Sequence, residues 1–142
     1  MLSLPQLNIT IELLHKKACL PHRAYPTDAC IDLTACENLE IAVGATGLAR
    51  LGWAMELEGG WEARIRGRSG LASKGILAHH GTIDHLYRKE VKVILHNFSS
   101  ESFKIKAGDR IAQLSFAPVY PVTLAGGQVT LTERGGFGST GQ

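Results

Sequence analysis

The chain has 142 residues, 44% hydrophobic and 20% charged, which suits one globular domain with its own core and excludes a disordered, fibrous or membrane-spanning polymer. A formal net charge of +2 is too small to mark nucleic acid or a membrane surface as the main partner, and leaves a small charged ligand open. Cys19, Cys30 and Cys36 have neither zinc-site spacing nor a secreted disulfide pattern, and read as free thiols of a reducing cytosol.

Met1 to Gln6 carries no basic region followed by an apolar block, and every apolar run falls well short of the ~20 residues that span a bilayer, so a cytoplasmic protein is expected. Alternation then sets in. Leu7, Ile9, Ile11 and Leu13 repeat at every second residue, as a half-buried strand does. A turn at Pro26-Thr27-Asp28 leads to Ala29-Cys30-Ile31-Asp32-Leu33, a strand with Asp32 between apolar neighbours. That carboxylate is either a site residue or a turn cap facing solvent.

Val43-Gly44 and Gly59-Gly60 mark further turns. Arg66-Gly67-Arg68-Ser69-Gly70-Leu71 ends a strand and opens the one short helical candidate, Ser69 to Lys74. A serine and a glycine at a helix start, beside an arginine, can hold an anion through backbone donors, a hydroxyl and a guanidinium. Ordinary N-capping by Ser69 is the competing reading. The adjacent pair His79-His80 chelates poorly in an extended segment, because neighbouring strand residues point to opposite faces.

Gly81-Thr82-Ile83-Asp84-His85-Leu86-Tyr87-Arg88 leads into the alternating Val91, Val93 and Leu95. Asp84 suits a general base beside a tyrosine on which a sugar packs, or else it stabilises a hairpin turn. Phe103 and Ile105 continue the alternation, and Ala107-Gly108-Asp109 turns the chain into Arg110-Ile111-Ala112-Gln113-Leu114 and Phe116, a less regular run. Arg110 reads as a partner for a carboxylate, and Gln113 as a buried amide that needs one of its own. Gly126-Gly127 is a last turn signal.

The chain then runs through Arg134-Gly135-Gly136-Phe137-Gly138-Ser139-Thr140-Gly141, too rich in glycine for a helix or a packed strand. Such a tail is either a frayed terminus or an arm that closes on a ligand with backbone donors, a guanidinium and an aromatic ring. There is no internal repeat or linker before it. Many short strands predict an all-β sandwich, barrel or jelly roll whose edges an oligomer would cover.

In this order, from about Ala29 to Gly141, the segments resemble the trimeric dUTPase family, whose patterns read Ala-Gly-x-Asp-Leu, Arg-Ser-Gly, Gly-x-Ile-Asp-x-x-Tyr-Arg-Gly, Gly-Asp-Arg-Ile-Ala-Gln-Leu and a Gly-Phe-Gly-Ser-Thr-Gly arm. The resemblance implies an all-β, jelly-roll-like barrel over residues 1–128, a flexible arm over 129–142, and a homotrimer whose sites are shared by all three chains. It implies hydrolysis of dUTP to dUMP and pyrophosphate with Mg²⁺, and no direct binding of membrane or nucleic acid.

By the same resemblance Asp84 activates the attacking water and Tyr87 packs on the deoxyribose. The Ile76 to Gly81 hairpin reads uracil, with His80, Gly81, Thr82 and Ile83 among the substrate residues. Arg68, Ser69, Gly70 and Gln113 hold phosphates, and Asp32 reaches the metal through water. Phe137 lies over the base, while Arg134, Gly138, Ser139 and Thr140 close the arm on the nucleotide.

The chain departs from the family pattern at several places. Cys30 stands for glycine, Gly67 for proline, Leu86 for aspartate and Lys89 for glycine. The hairpin before Gly81 is about one residue short, and Arg134 precedes Phe137 by three residues, where the family pattern has a longer step. A dCTP deaminase shares the fold and the Arg-Ser pair, but Ile94 occupies the place of its catalytic glutamate and cannot move protons. A non-catalytic nucleotide-binding regulator would not need Asp84.

Overall fold

The computed structural model, which describes residues 4–138, turns the alternation into strands. In chain order they are β1 (Thr10–Leu13), β2 (Ile31–Thr34), β3 (Leu39–Ile41), β4 (Thr46–Arg50), β5 (Trp53–Glu56) and β6 (Trp61–Arg66). After a single helical turn, α1 (Ser69–Ala72), come β7 (Ile76–Ala78), β8 (Thr82–Asp84), β9 (Lys92–Asn97), β10 (Phe103–Ile105) and β11 (Arg110–Pro118). Among the described residues no helix is long and apolar enough to cross a membrane.

The strands form four sheets, ordered β1-β5, β10-β3, β2-β11-β6-β8 and β4-β9-β7, and every pairing is antiparallel. Most strands turn alternate side chains inward to one shared core, while β5 buries three in a row, Trp53, Ala54 and Met55. Leu33 of β2, Trp53 and Met55 of β5, Ile65 of β6, Val93 and Leu95 of β9, and Ile111 and Leu114 of β11 are all buried in it. Burial of a side chain of this size contributes about 1.5–3 kcal/mol, so the core outweighs any surface ion pair.

The irregular run in β11 has a structural cause. Its pairing with β2 shifts register between Arg110 and Ala112, and a bulge of this kind lets neighbours face the same way. Ile111 and Ala112 are accordingly both buried. The turns at Pro26-Thr27, Val43-Gly44, Gly59-Gly60 and Ala107-Gly108 form as expected, whereas Gly126-Gly127 makes no turn. Leu13 also departs from the alternating pattern: it is exposed at the end of β1, while Ile11 is half-buried against the core.

Two local devices tie the sheets together. Gly52, between β4 and β5, has φ +76°, and a Cβ there would meet His15, Ala18 and the Cys36 sulfur at 2.8–2.9 Å, so only glycine fits. The second is Asn97, the one buried polar residue of the described core. Its amide nitrogen donates to the carbonyls of Ile41 (2.9 Å) and Glu101 (2.7 Å), and its oxygen accepts from the Ser99 N–H (3.0 Å) and hydroxyl (2.6 Å). The network is fully satisfied, as burial demands.

The segment from Ile76 to Gly81 is not a closed hairpin. β7 pairs with β9 in one sheet and β8 with β6 in another. The His79 N–H still bonds the Ile94 carbonyl at 2.8 Å, while the Gly81 carbonyl already accepts from Ile65 at 2.8 Å. His79-His80 is therefore a crossing between sheets.

Candidate active site

Where those two sheets meet lies a cleft of about 640 Å³, built by β6, α1, β7, β8 and β11. Alternation along β6 sends Ala63 and Ile65 into the core and leaves Arg64 and Arg66 outside. Arg64, Arg66, Arg68, Ser69, His80, Gly81, Thr82 and Gln113 all line the cleft. The register extends this outward face across the sheet. Asp32, Gln113 and Arg66 stand side by side on β2, β11 and β6, and Ser115, Arg64 and Thr82 form the next rung on β11, β6 and β8.

The junction of β6 and α1 is held from β11. The Gln113 amide donates to the Gly67 carbonyl at 2.8 Å, and the Arg68 guanidinium donates to the Arg110 carbonyl at 3.1 Å. Arg110 in turn pairs with Asp32 at 3.6 Å, the carboxylate partner its sequence position suggested. Ser69 does not cap α1. The capping position is Arg68, with no side-chain bond, and Ser69 is the first helical residue. Its hydroxyl is thus left to the cleft, and a one-turn helix leaves its first N–H groups without intrahelical partners.

Asp84 and Thr82 are exposed on β8 while Ile83 between them is buried. The Ile83 side chain belongs to the core, and its backbone lies opposite Ala63 of β6 in the ladder. Glu62 stands directly across from Asp84, and its carboxylate is bonded by Arg64. Past β8 the chain turns, with the Tyr87 N–H on the Asp84 carbonyl at 3.0 Å and the Tyr87 hydroxyl on the Glu90 carbonyl at 2.9 Å.

The lining of the cleft includes neither Asp32, Gly70, Asp84 and Tyr87 nor Arg134, Phe137 and Gly138 of the arm. Phe137 is fully exposed. Ser139 and Thr140 lie outside the described residues. Two charged lining residues, Arg64 and Arg66, were given no site role in the sequence reading, although the alternation of Ala63 and Ile65 with them was the available signal. The Arg66 guanidinium has no hydrogen bond or ion pair among the described residues.

A cleft lined by three arginines, a serine at a helix start and a primary amide, on a mostly β frame, has the chemistry that suits a polyanionic ligand. Comparison narrows the class. The dUTPase family model matches residues 16–141, and on that match and the relatives below the chain belongs to the dUTPase family. It is 42% identical to a deoxyuridine 5'-triphosphate nucleotidohydrolase of Crocosphaera subtropica, covering 95% of this chain and 99% of that protein. A protein of the same name from Wolinella succinogenes is 43% identical, covering 100% and 99%.

The fold is also similar to that of the Staphylococcus bacteriophage 80alpha dUTPase with dUPNHPP, at a TM-score of 0.87 and 25% identity, covering 94% of this chain and 98% of that one. A variant dUTPase from phage phi11 of S. aureus, described as coordinating a structural Mg(II) ion, superposes at 0.80 with 20% identity, covering 86% and 97%.

Proposed function

We propose that this chain hydrolyses dUTP to dUMP and pyrophosphate, limiting uracil in DNA and supplying dUMP. The observation that carries the reading is the cleft of a dUTPase-family chain in which Arg68, Ser69 and Gln113 converge with His80, Gly81 and Thr82. The first group suits phosphates. The second lies at the crossing between sheets: its Gly81 carbonyl is taken by Ile65, while the backbone at His80, which belongs to neither β7 nor β8, supports uracil recognition there.

Hydrolysis of a phosphoanhydride asks mainly for positioning and charge neutralisation. Arg68, Ser69, Gly70 and Gln113 hold the triphosphate, Asp84 takes the proton of the water that attacks the α-phosphorus in line, and Tyr87 packs on the deoxyribose. Phe137 covers the base, and Arg134, Gly138, Ser139 and Thr140 close the arm. Among the described residues no group of three or more His, Cys, Asp and Glu side chains forms a metal cage. A lone carboxylate fits Mg²⁺, which is held largely by substrate phosphates and water. Asp32 would hold it through water, and its chemistry there is to neutralise triphosphate charge.

The finer architecture is part of the same reading: a jelly-roll-like barrel over 1–128, an arm over 129–142, and a homotrimer. Asp84, Tyr87 and Phe137 do not line the cleft of their own chain, which supports sites completed by neighbouring copies. Leu48, Leu77, Ile94 and Phe98 are exposed at or beside the outer face of β4-β9-β7, and Val122, Leu124, Val129 and Leu131 along the segment after β11. Apolar surface of that kind favours burial by other copies. Three free cysteines support a cytosolic location.

The test is incubation with dUTP, dCTP, dTTP and UTP in the presence of magnesium, with pyrophosphate and ammonia followed separately. Pyrophosphate from dUTP alone is expected. Ammonia from dCTP would identify a deaminase, and binding without turnover a regulator.

A further inference from the structure

We infer that the ion pair between Arg50 and Glu90 is a positioning device for Tyr87, and that through it the enzyme separates deoxyribonucleotides from ribonucleotides. The inference rests on the reading of Tyr87 given above. The loop from Asp84 to Val91 carries both the proposed base and the sugar-facing tyrosine, and its far end is fixed three times. The Val91 N–H bonds the carbonyl of buried Trp53 at 2.9 Å. The Glu90 carboxylate receives the Arg50 guanidinium on both oxygens, at 2.9 Å from Nε and 2.8 Å from Nη2. The Glu90 carbonyl accepts the Tyr87 hydroxyl at 2.9 Å.

Arg50 thus fixes the residue whose backbone holds the tyrosine ring by its far tip. Forked arginine–carboxylate pairs set orientation as well as energy. Arg50 sits at the end of β4, whose Ala49 is packed in the core, so the anchor is rigid. Its second carboxylate, Glu37 at 3.5 Å, steadies the guanidinium from the other side. The Arg50 hydrogen bond, the largest influence, holds the Glu90 carboxyl below the usual range, against the opposing effect of burial. With the pair broken, a largely buried carboxylate loses its partner, the peptide at Glu90 reorients, and the tyrosine hydroxyl loses its acceptor.

The test measures kcat and KM for dUTP and UTP in the wild type, Arg50→Ala, Arg50→Lys, Glu90→Gln, Tyr87→Phe and the double variant Arg50→Ala/Tyr87→Phe. Arg50→Ala is expected to lower kcat/KM for dUTP roughly tenfold, in line with small misplacements of substrate-positioning groups, with a smaller loss for UTP, so that selectivity narrows. Arg50→Lys, which keeps the charge but not the planar fork, recovers part of the loss. In the Tyr87→Phe background the Arg50 substitution adds little, because the hydroxyl link is already gone. Thermal melts establish that each variant is folded, and if Arg50→Ala is not, Glu90→Gln and Arg50→Lys give the same reading.

Equal losses for dUTP and UTP, or losses that multiply with Tyr87→Phe, would overturn the inference and leave a purely structural pair. A wild type without dUTP turnover would remove the reading of the site and this inference together.

Discussion

At the scale of single residues, chemistry and stability fall to different side chains. Asp84 is exposed at the end of β8 and contributes nothing to the core. Asp84→Asn should therefore leave the melting temperature close to that of the wild type while lowering kcat by orders of magnitude with little change in KM, because a general base acts on the transition state. Steady-state kinetics on dUTP checks this, and retained turnover would take Asp84 out of the role. Asn97 is the reverse case. Asn97→Leu would leave the Ile41 and Glu101 carbonyls without their donor, at a cost of about 2–4 kcal/mol, measurable by urea unfolding. Both residues are polar and both sit at strand ends, yet only burial separates their roles.

At the scale of elements, the arm is the part whose geometry is most open to experiment. After β11 the chain is exposed and joins no strand through residue 138, with a turn at Phe137-Gly138 where both residues have positive φ. Deleting residues 133–142 should abolish most turnover. Phe137→Ala should cost more than Arg134→Ala, because the three-residue step between them spans at most ~10 Å and leaves the arginine a strained reach to the terminal phosphates. If Arg134→Ala proves as damaging as the deletion, the short step has not weakened that contact.

How much of this was legible in the sequence depends on distance along the chain. Period-two alternation is local, so the burial of Val91, Val93 and Leu95 and the exposure of Asp84 beside Ile83 could be read directly, as could the short helix at Ser69. The partner of Arg110 was inferable in kind, though its identity as Asp32 was not. Register is set by non-local pairing, so the bulge after Arg110 and the separation of β7 and β8 into different sheets left no local mark. Arg50 and Glu90 are 40 residues apart, and nothing in either neighbourhood announces the other. The outward arginines of β6 were visible in the alternation but carried no motif.

At the scale of the whole molecule, Asp84, Tyr87 and Phe137 do not line the cleft of their own chain, and the proposed homotrimer would complete it with neighbouring copies. Light scattering should give close to three times 15.3 kDa. Asp84→Asn chains mixed with chains lacking the arm should regain activity that neither has alone, since intact sites then form from different parents. A fully active monomer would contradict shared sites.

The central claim is attack by water on the α-phosphorus, and the position of the new oxygen tests it most directly. Turnover of dUTP in water enriched in heavy oxygen, with both products resolved by mass spectrometry, should place the label in dUMP and none in pyrophosphate. Label in the pyrophosphate would mean attack at the β-phosphorus, and the roles given to Asp84, Arg68 and Gln113 would be wrong.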